Sequence, residues 1–204
     1  MSNSAIKHLR SRAPILTNII KTIPPPKSYA QNSLFYDLVS CVVDQQIPHR
    51  SRGIYVKKLE QLIENEPITP ESILNIDERA FAEQKIANTK HQTLMRLAHH
   101  WQTEQWQAID WSKLSDVAIK EKLGAVKGVG NWTIEMILLF SLERPDVFPA
   151  DDYHLKQMMT QLYGLNPKSK LKAQMIEVSE PWQPYRSLGV RYILDWKAHL
   201  KNRL

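Results

Sequence analysis

Between Leu123 and Leu155 the chain reads LGAVKGVGNWTIEMILLFSLERPDVFPADDYHL, and the feature that constrains it most is the pair of glycines at 128 and 130. Leu123 to Lys127 closes one helical segment. Gly128-Val129-Gly130 then predicts a turn in which two residues take φ > 0 or let another backbone approach closely. A second helix is predicted directly after it, capped by Asn131, with Trp132, Met136, Leu139 and Phe140 on one face and Ile137 and Leu138 widening that face. A helix, turn and helix so joined leave unpaired backbone N–H groups at the start of the second helix, a setting that suits a phosphate. Downstream, Pro145 breaks the pattern, and Val147-Phe148-Pro149 leads into Asp151-Asp152 and a further helical run. Both carboxylates are therefore expected at a helix N-terminus.

The rest of the chain supports an all-α fold. Ile6 to Ile23 reads as amphipathic helix interrupted at Pro14, and Pro24-Pro25-Pro26 ends it. Ser33 to Leu62 reads as two helical pieces divided near Pro48. Thr69-Pro70-Glu71 is a cap followed by proline at the first helical position, opening a short helix to Ile76. Asp77 begins another, Thr89 to Trp101 a third, and Ser115-Asp116 caps the helix that enters the turn. Ser169 is positioned to cap LKAQMIEVSE, and Pro184 to Leu204 predicts a closing basic helix. No β-rich segment, internal repeat or low-complexity run interrupts this pattern.

At 204 residues the chain can bury a proper core, as one domain or as two packed lobes. The formal net charge of +6 favours a polyanionic partner. A lone cysteine, Cys41, excludes a disulfide framework and a four-cysteine iron–sulfur cluster. The histidines lack metal spacing, since His99 and His100 are adjacent rather than one turn apart, so no metal is expected. The start lacks the apolar core of a signal peptide and no run is long enough to span a membrane, so a soluble cytoplasmic protein is expected, free of membrane.

The segment VKGVGNWT, followed by DVFPADDYHLK, resembles the helix-hairpin-helix DNA glycosylases, and among them the 3-methyladenine DNA glycosylase II group in its compact form. The resemblance runs from about Leu34 to Trp196. It implies a single domain, 1–204, of two helical lobes with the DNA and base cleft between them and the hairpin at about 115–143. It implies that Gly128, Val129 and Gly130 grip a DNA phosphate, directly or through a shared monovalent cation, with Lys127 and Lys90 near the backbone. In LVSCVVDQQIPHRSRGIYVKKL it implies that Gln46 wedges into the DNA stack. Asp152 becomes the catalytic carboxylate, with Asp151 as a cap or supporting group, and Trp132, Met136, Tyr192 and Leu194 line the base pocket. PWQPYRSLGVRYIL is similar to the family's closing segment. The implied partner is double-stranded DNA containing damaged bases, bound by a monomer without a further cofactor.

Three departures bear on the substrate. Many members have Tyr-Leu-Trp where this chain has Tyr192-Ile193-Leu194, with Trp196 displaced by two; Met136 replaces an aromatic found in some; and Pro48 follows the glutamines where serine is common. At position 132, relatives that also cut the strand place a lysine, and here it is tryptophan, with Lys127 before the turn. The implied enzyme is monofunctional and leaves an abasic site.

The chemistry agrees with these residue types. A base must leave the duplex before its glycosidic bond can be cut, which calls for a grip, a wedge and a pocket. An aromatic face stacks an extruded base for roughly 1–3 kcal/mol and attracts a cationic, alkylated one by about 0.5–2 kcal/mol more. As the bond lengthens the sugar becomes oxocarbenium-like, and a fixed carboxylate stabilises it and directs water. An alkylated purine departs neutral, so one carboxylate suffices where sugar hydrolases use two. Plainer readings stand beside each residue: Asp151-Asp152 as helix caps, the glycines as an ordinary turn, Trp132 and Trp196 as core, Gln45-Gln46 as a solvated helix end. Two other functions also fit, a glycosylase for a deaminated or mismatched base and a non-catalytic helix-hairpin-helix DNA-binding protein.

Overall fold

The computed structural model describes residues 3–28, 33–45, 53–64 and 66–201. Among these residues there are twelve α-helices and no strand, as the sequence pattern predicts. In chain order they are α1 (Asn3–Arg12), α2 (Pro14–Thr22), α3 (Leu34–Asp44), α4 (Ile54–Leu62), α5 (Pro70–Leu74), α6 (Glu78–Glu83), α7 (Asn88–Thr103), α8 (Asp116–Gly124), α9 (Asn131–Met136), α10 (Tyr153–Tyr163), α11 (Leu171–Ser179) and α12 (Arg186–Lys201). None of them is long and apolar enough to cross a membrane. The chain forms two compact units, one made of Met1–Tyr29 with Glu143–Leu204, the other of Ala30–Leu142.

Local chemistry sets the helix boundaries. Pro14 opens α2 at a position where a missing N–H costs nothing. Ser33 caps α3 by accepting from the Tyr36 N–H at 3.2 Å, and Asp77 caps α6 by accepting from Arg79 N–H at 2.6 Å. Thr69 and Ser72 form a reciprocal capping box at α5, each hydroxyl accepting from the other's backbone N–H. Ser115 caps α8 through the Ala118 N–H.

Two expected caps are not used. Asn131 is the first helical residue of α9 and the cap position belongs to Gly130. The cap position of α11 belongs to Lys170 at φ 43°, whose side chain makes no capping bond, so Ser169 does not cap it. The turn geometry starts α9 one residue earlier than a cap at Asn131 would, and α11 one residue later than a cap at Ser169 would.

In the unit Ala30–Leu142, α3 contributes buried Phe35, Leu38, Val39, Val42 and Val43, and α7 contributes Leu94, Leu97 and Ala98. Trp101, Trp106 and Trp111 pack edge-to-face or stacked, with ring centroids 5.5–5.9 Å apart, and Phe35 joins them at 5.1 Å from Trp101. After Met136 the helix widens into a π turn over Ile137–Ser141, closed by Leu142 N–H on Ile137 O at 2.9 Å. This wide turn shifts the helical register, so the expected face does not run straight. Met136, Ile137, Leu138 and Leu139 are buried while Trp132 and Phe140 are only half-buried.

In the unit made of Met1–Tyr29 and Glu143–Leu204, α12 packs on α10 and α2. Gly189 lets α12 lie close to Trp182 and to Leu16 of α2, because a Cβ there would fall 2.8 Å from Trp182 Cε3 and 3.2 Å from Leu16 Cδ1. Arg191 is buried on α12; it pairs with Glu143 at 3.3 Å and donates to the Lys27 carbonyl.

Candidate functional site

The turn after α8 meets only part of the sequence expectation. Gly128 does adopt a positive φ, at 105°. Gly130 does not; it is extended, at φ −88° and ψ 171°. What Gly128 supplies beyond its backbone angle is space, since a Cβ would fall 2.1 Å from Thr93 Oγ1 on α7. Val129 is buried and anchors the turn, while Lys127, Gly128 and Gly130 are exposed. The Val129 N–H closes the turn on Val126 O at 2.9 Å, and the first bond of α9 runs from Ile134 N–H to Gly130 O. The amides at the head of α9 therefore stand before the i to i−4 ladder, where a phosphate can be received.

Two side chains that hold this turn, Gln45 and Arg96, and one that holds the end of α3, Lys90, arrive from far away in sequence. Gln45, at the end of α3, donates from Nε2 to Thr133 Oγ1 at 2.7 Å and to Gly128 O at 3.3 Å. Arg96 on α7 donates to the Lys127 carbonyl at 3.3 Å. Lys90 donates to the α3 carbonyls Val43 O (2.6 Å) and Gln45 O (2.9 Å), with its ammonium over the Tyr55 ring. Burial pushes the Lys90 ammonium below the usual lysine value, against the opposing effect of Asp44. The expectation of Lys90 facing DNA is thus corrected in one respect: two of its three donors are spent on orphan carbonyls at the C-terminus of α3. Sequence reasoning missed Gln45 and Arg96, whose signal is only their distance from the turn in the folded chain. Gln46, the expected wedge, lies outside the described residues, as does Pro48.

The carboxylates occur in the other unit. Asp152 is 4 % exposed and heads α10, its Oδ1 accepting from Leu155 N–H at 2.7 Å. Asp152 does cap the helix, and that bond leaves its carboxylate fixed at the head of α10. Asp151 does not cap and is exposed, bridging to Lys172 at 2.6 Å and Lys156 at 3.2 Å. Those two ammonium groups hold its carboxyl below the ordinary aspartate range, the Lys172 hydrogen bond contributing most.

The approach to Asp152 is held by the closing segment. Arg186 grips Asp146 in a bidentate pair, Nε to Oδ1 at 2.8 Å and Nη2 to Oδ2 at 2.9 Å. Ser187 Oγ accepts from Val147 N–H at 2.8 Å, and the Ser187 N–H donates to Pro145 O. Arg186 and Ser187, which lie in the closing segment PWQPYRSLGVRYIL, thus fasten the first residues of the run that ends at Asp152.

The expected pocket residues divide. Trp132 and Leu194 are half-buried. Met136 and Tyr192 are buried, at 7 % and 1 % exposed. Burial, with Asp195 nearby, raises the Tyr192 phenol. Among the described residues no group of three or more His, Cys, Asp or Glu side chains is placed to hold a metal ion.

The model of the HhH-GPD superfamily of base excision DNA repair proteins matches residues 39–184, a span that includes both the turn and Asp152. The chain is 28 % identical to DNA-3-methyladenine glycosylase 1 of Schizosaccharomyces pombe over 90 % of its length and 80 % of that protein. It is 26 % identical to the alkylbase DNA glycosidase-like protein mag2 of the same organism, over 98 % of this chain and 96 % of the relative. Its fold is similar to that of the S. pombe 3-methyladenine DNA glycosylase solved with abasic DNA, at TM-score 0.84 and 24 % identity over 96 % of this chain and 97 % of the other.

Proposed function

The chain belongs to the HhH-GPD superfamily of base excision DNA repair proteins, and from that premise we propose that it is a monofunctional DNA glycosylase that hydrolyses the N-glycosidic bond of alkylated purines in duplex DNA. The observation that carries this reading is Asp152, a carboxylate 4 % exposed and pinned to the head of α10, in a chain similar across nearly its whole length to a DNA-3-methyladenine glycosylase. The amides of the 128–130 turn hold a phosphate beside the lesion. The half-buried Trp132 ring stacks the extruded base and prefers one that carries positive charge. As the base departs neutral, the Asp152 carboxylate stabilises the positive sugar and orients water for attack at C1′. Wedging by Gln46 completes the proposal, and Asp151 takes no part in the chemistry.

Hydrolysis without strand cleavage follows from the lysines. Trp132 occupies the place where the strand-cleaving relatives carry an amine, Lys127 is exposed before the turn, and the Lys90 ammonium is engaged with two carbonyls. The test is incubation of the native chain with methylated duplex DNA under single-turnover conditions, scoring free bases and strand breaks separately. Release of 3-methyladenine or 7-methylguanine with no breaks before alkali is expected. Breaks formed at the rate of base release would overturn the monofunctional reading, and release of only deaminated or mismatched bases would move the substrate to those lesions.

A further inference from the structure

We propose that Gln45 is a positioning residue for the Gly128–Gly130 turn and, through it, for DNA binding, an inference that rests on the reading of this protein as one that grips duplex DNA. The carboxamide of Gln45 spans the turn. One nitrogen donates to Gly128 O, on the entry side, and to Thr133 Oγ1, inside the first turn of α9 on the exit side. Thr133 is fully buried, so its hydroxyl has no solvent to replace this donor. The same stretch of α3 is itself fastened, because Lys90 holds the carbonyls of Val43 and Gln45, and Asp44 Oδ1 accepts from Gly53 N–H at 3.3 Å.

The consequence is directional. With the Lys127 carbonyl drawn to Arg96 and the Gly128 carbonyl drawn to Gln45, the oxygens of the two peptides entering the turn are occupied by protein donors. An anion approaching the turn then meets amide hydrogens rather than carbonyl oxygens. Without Gln45 the peptide after Gly128 loses its tether and the amides must be ordered by the phosphate itself, at an entropic cost charged to binding. Gln45 carries no charge, so its loss leaves the number of neutralised phosphates unchanged.

The experiment compares Gln45→Ala, Thr133→Val, the double variant and Thr133→Ser, reading affinity for a duplex with a stable abasic-site analogue at several salt concentrations, base release at saturating enzyme, and the thermal midpoint. Gln45→Ala and Thr133→Val should each weaken binding by roughly two- to tenfold, the equivalent of one lost hydrogen bond. The double variant should bind no worse than the weaker single one, Thr133→Ser should bind as the native chain does, and the salt slope and the saturated rate should hold. Unchanged affinity with a lower midpoint, or losses that multiply in the double variant, would overturn the proposal. Should Gln45→Ala fail to fold, equal binding by Thr133→Val and Thr133→Ser would overturn it as well. A native chain that binds the abasic duplex but releases no base contradicts the glycosylase reading and leaves this test intact.

Discussion

In the turn at 128–130 the geometry comes from an absent side chain, whereas in the segment 146–152 it comes from side chains that reach back across forty residues. Gly128 sits where any Cβ would collide with Thr93, and it offers a ligand only backbone. Asp152 is a side chain, delivered by a run that Arg186 and Ser187 hold through Asp146 and Val147, each pair separated by 40 positions. The comparison separates gripping from chemistry. A phosphate is a fixed, spread charge that backbone amides serve well, while a developing sugar cation needs one full negative charge at one place.

If that division holds, the largest effect belongs to Asp152→Asn. Base release should fall by about 10²–10⁴-fold, the range for loss of a positioned acid or base, with affinity for abasic duplex preserved. Comparable losses in binding and release would erase the distinction between the two regions. Gly128→Ala is the converse: the clash with Thr93 and the positive φ should abolish tight DNA binding and lower the thermal midpoint of the protein. Gly128→Ala together with Thr93→Ala should recover part of both, because it removes the colliding atoms.

Arg186→Ala tests the 146–152 segment apart from the turn. It removes a partly buried bidentate pair, so about 1.5–3 kcal/mol of stability should be lost, measured by denaturant unfolding. The saturated rate of base release should fall while abasic-site affinity stays within about twofold, the separation expected of a group that positions only the chemistry.

How much of this could be read from the chain depends on the range of the forces involved. The caps at Ser33, Thr69, Asp77 and Ser115 are local, and the sequence shows them because the partner N–H is two or three residues away. The turn is legible in the spacing of its glycines, and Asp152 is singled out from Asp151 only through the resemblance of its segment to a family. The brace by Gln45 was not, since its partners lie 83 and 88 residues on, and no pattern in QQIP marks it. Asn131 and Ser169 have the chemistry of caps but not the backbone placement. The π turn after Met136 adds a residue that a 3.6-residue period does not anticipate, so the face expected to run on to Leu139 and Phe140 is displaced beyond it. Lys90 illustrates the converse, a surface-type residue spent on helix carbonyls.

Two smaller effects follow. Lys90→Met should lower the thermal midpoint yet leave the salt slope of DNA binding as it is; a slope reduced by about one would return Lys90 to the phosphate backbone. Asp151→Asn should have the least effect, within about 1 kcal/mol, because its ion pairs are exposed. The folded-state carboxyl lies below its unfolded value, so its contribution is present above the ordinary aspartate range and lost as pH falls through the folded value. Melting curves of the native and Asp151→Asn chains should therefore differ slightly at neutral pH and converge in acid.

Asp152 is proposed to direct hydrolysis at the sugar of an alkylated purine. Its most direct test follows a single radiolabelled 3-methyladenine or 7-methylguanine duplex through binding and release, with native chain and Asp152→Asn side by side at saturating protein. The account predicts equal binding by both, release of the alkylated base by the native chain, and release slowed by at least about a hundredfold in the variant. Release at equal rates by both would contradict it, and so would binding by the native chain with no release of any alkylated base.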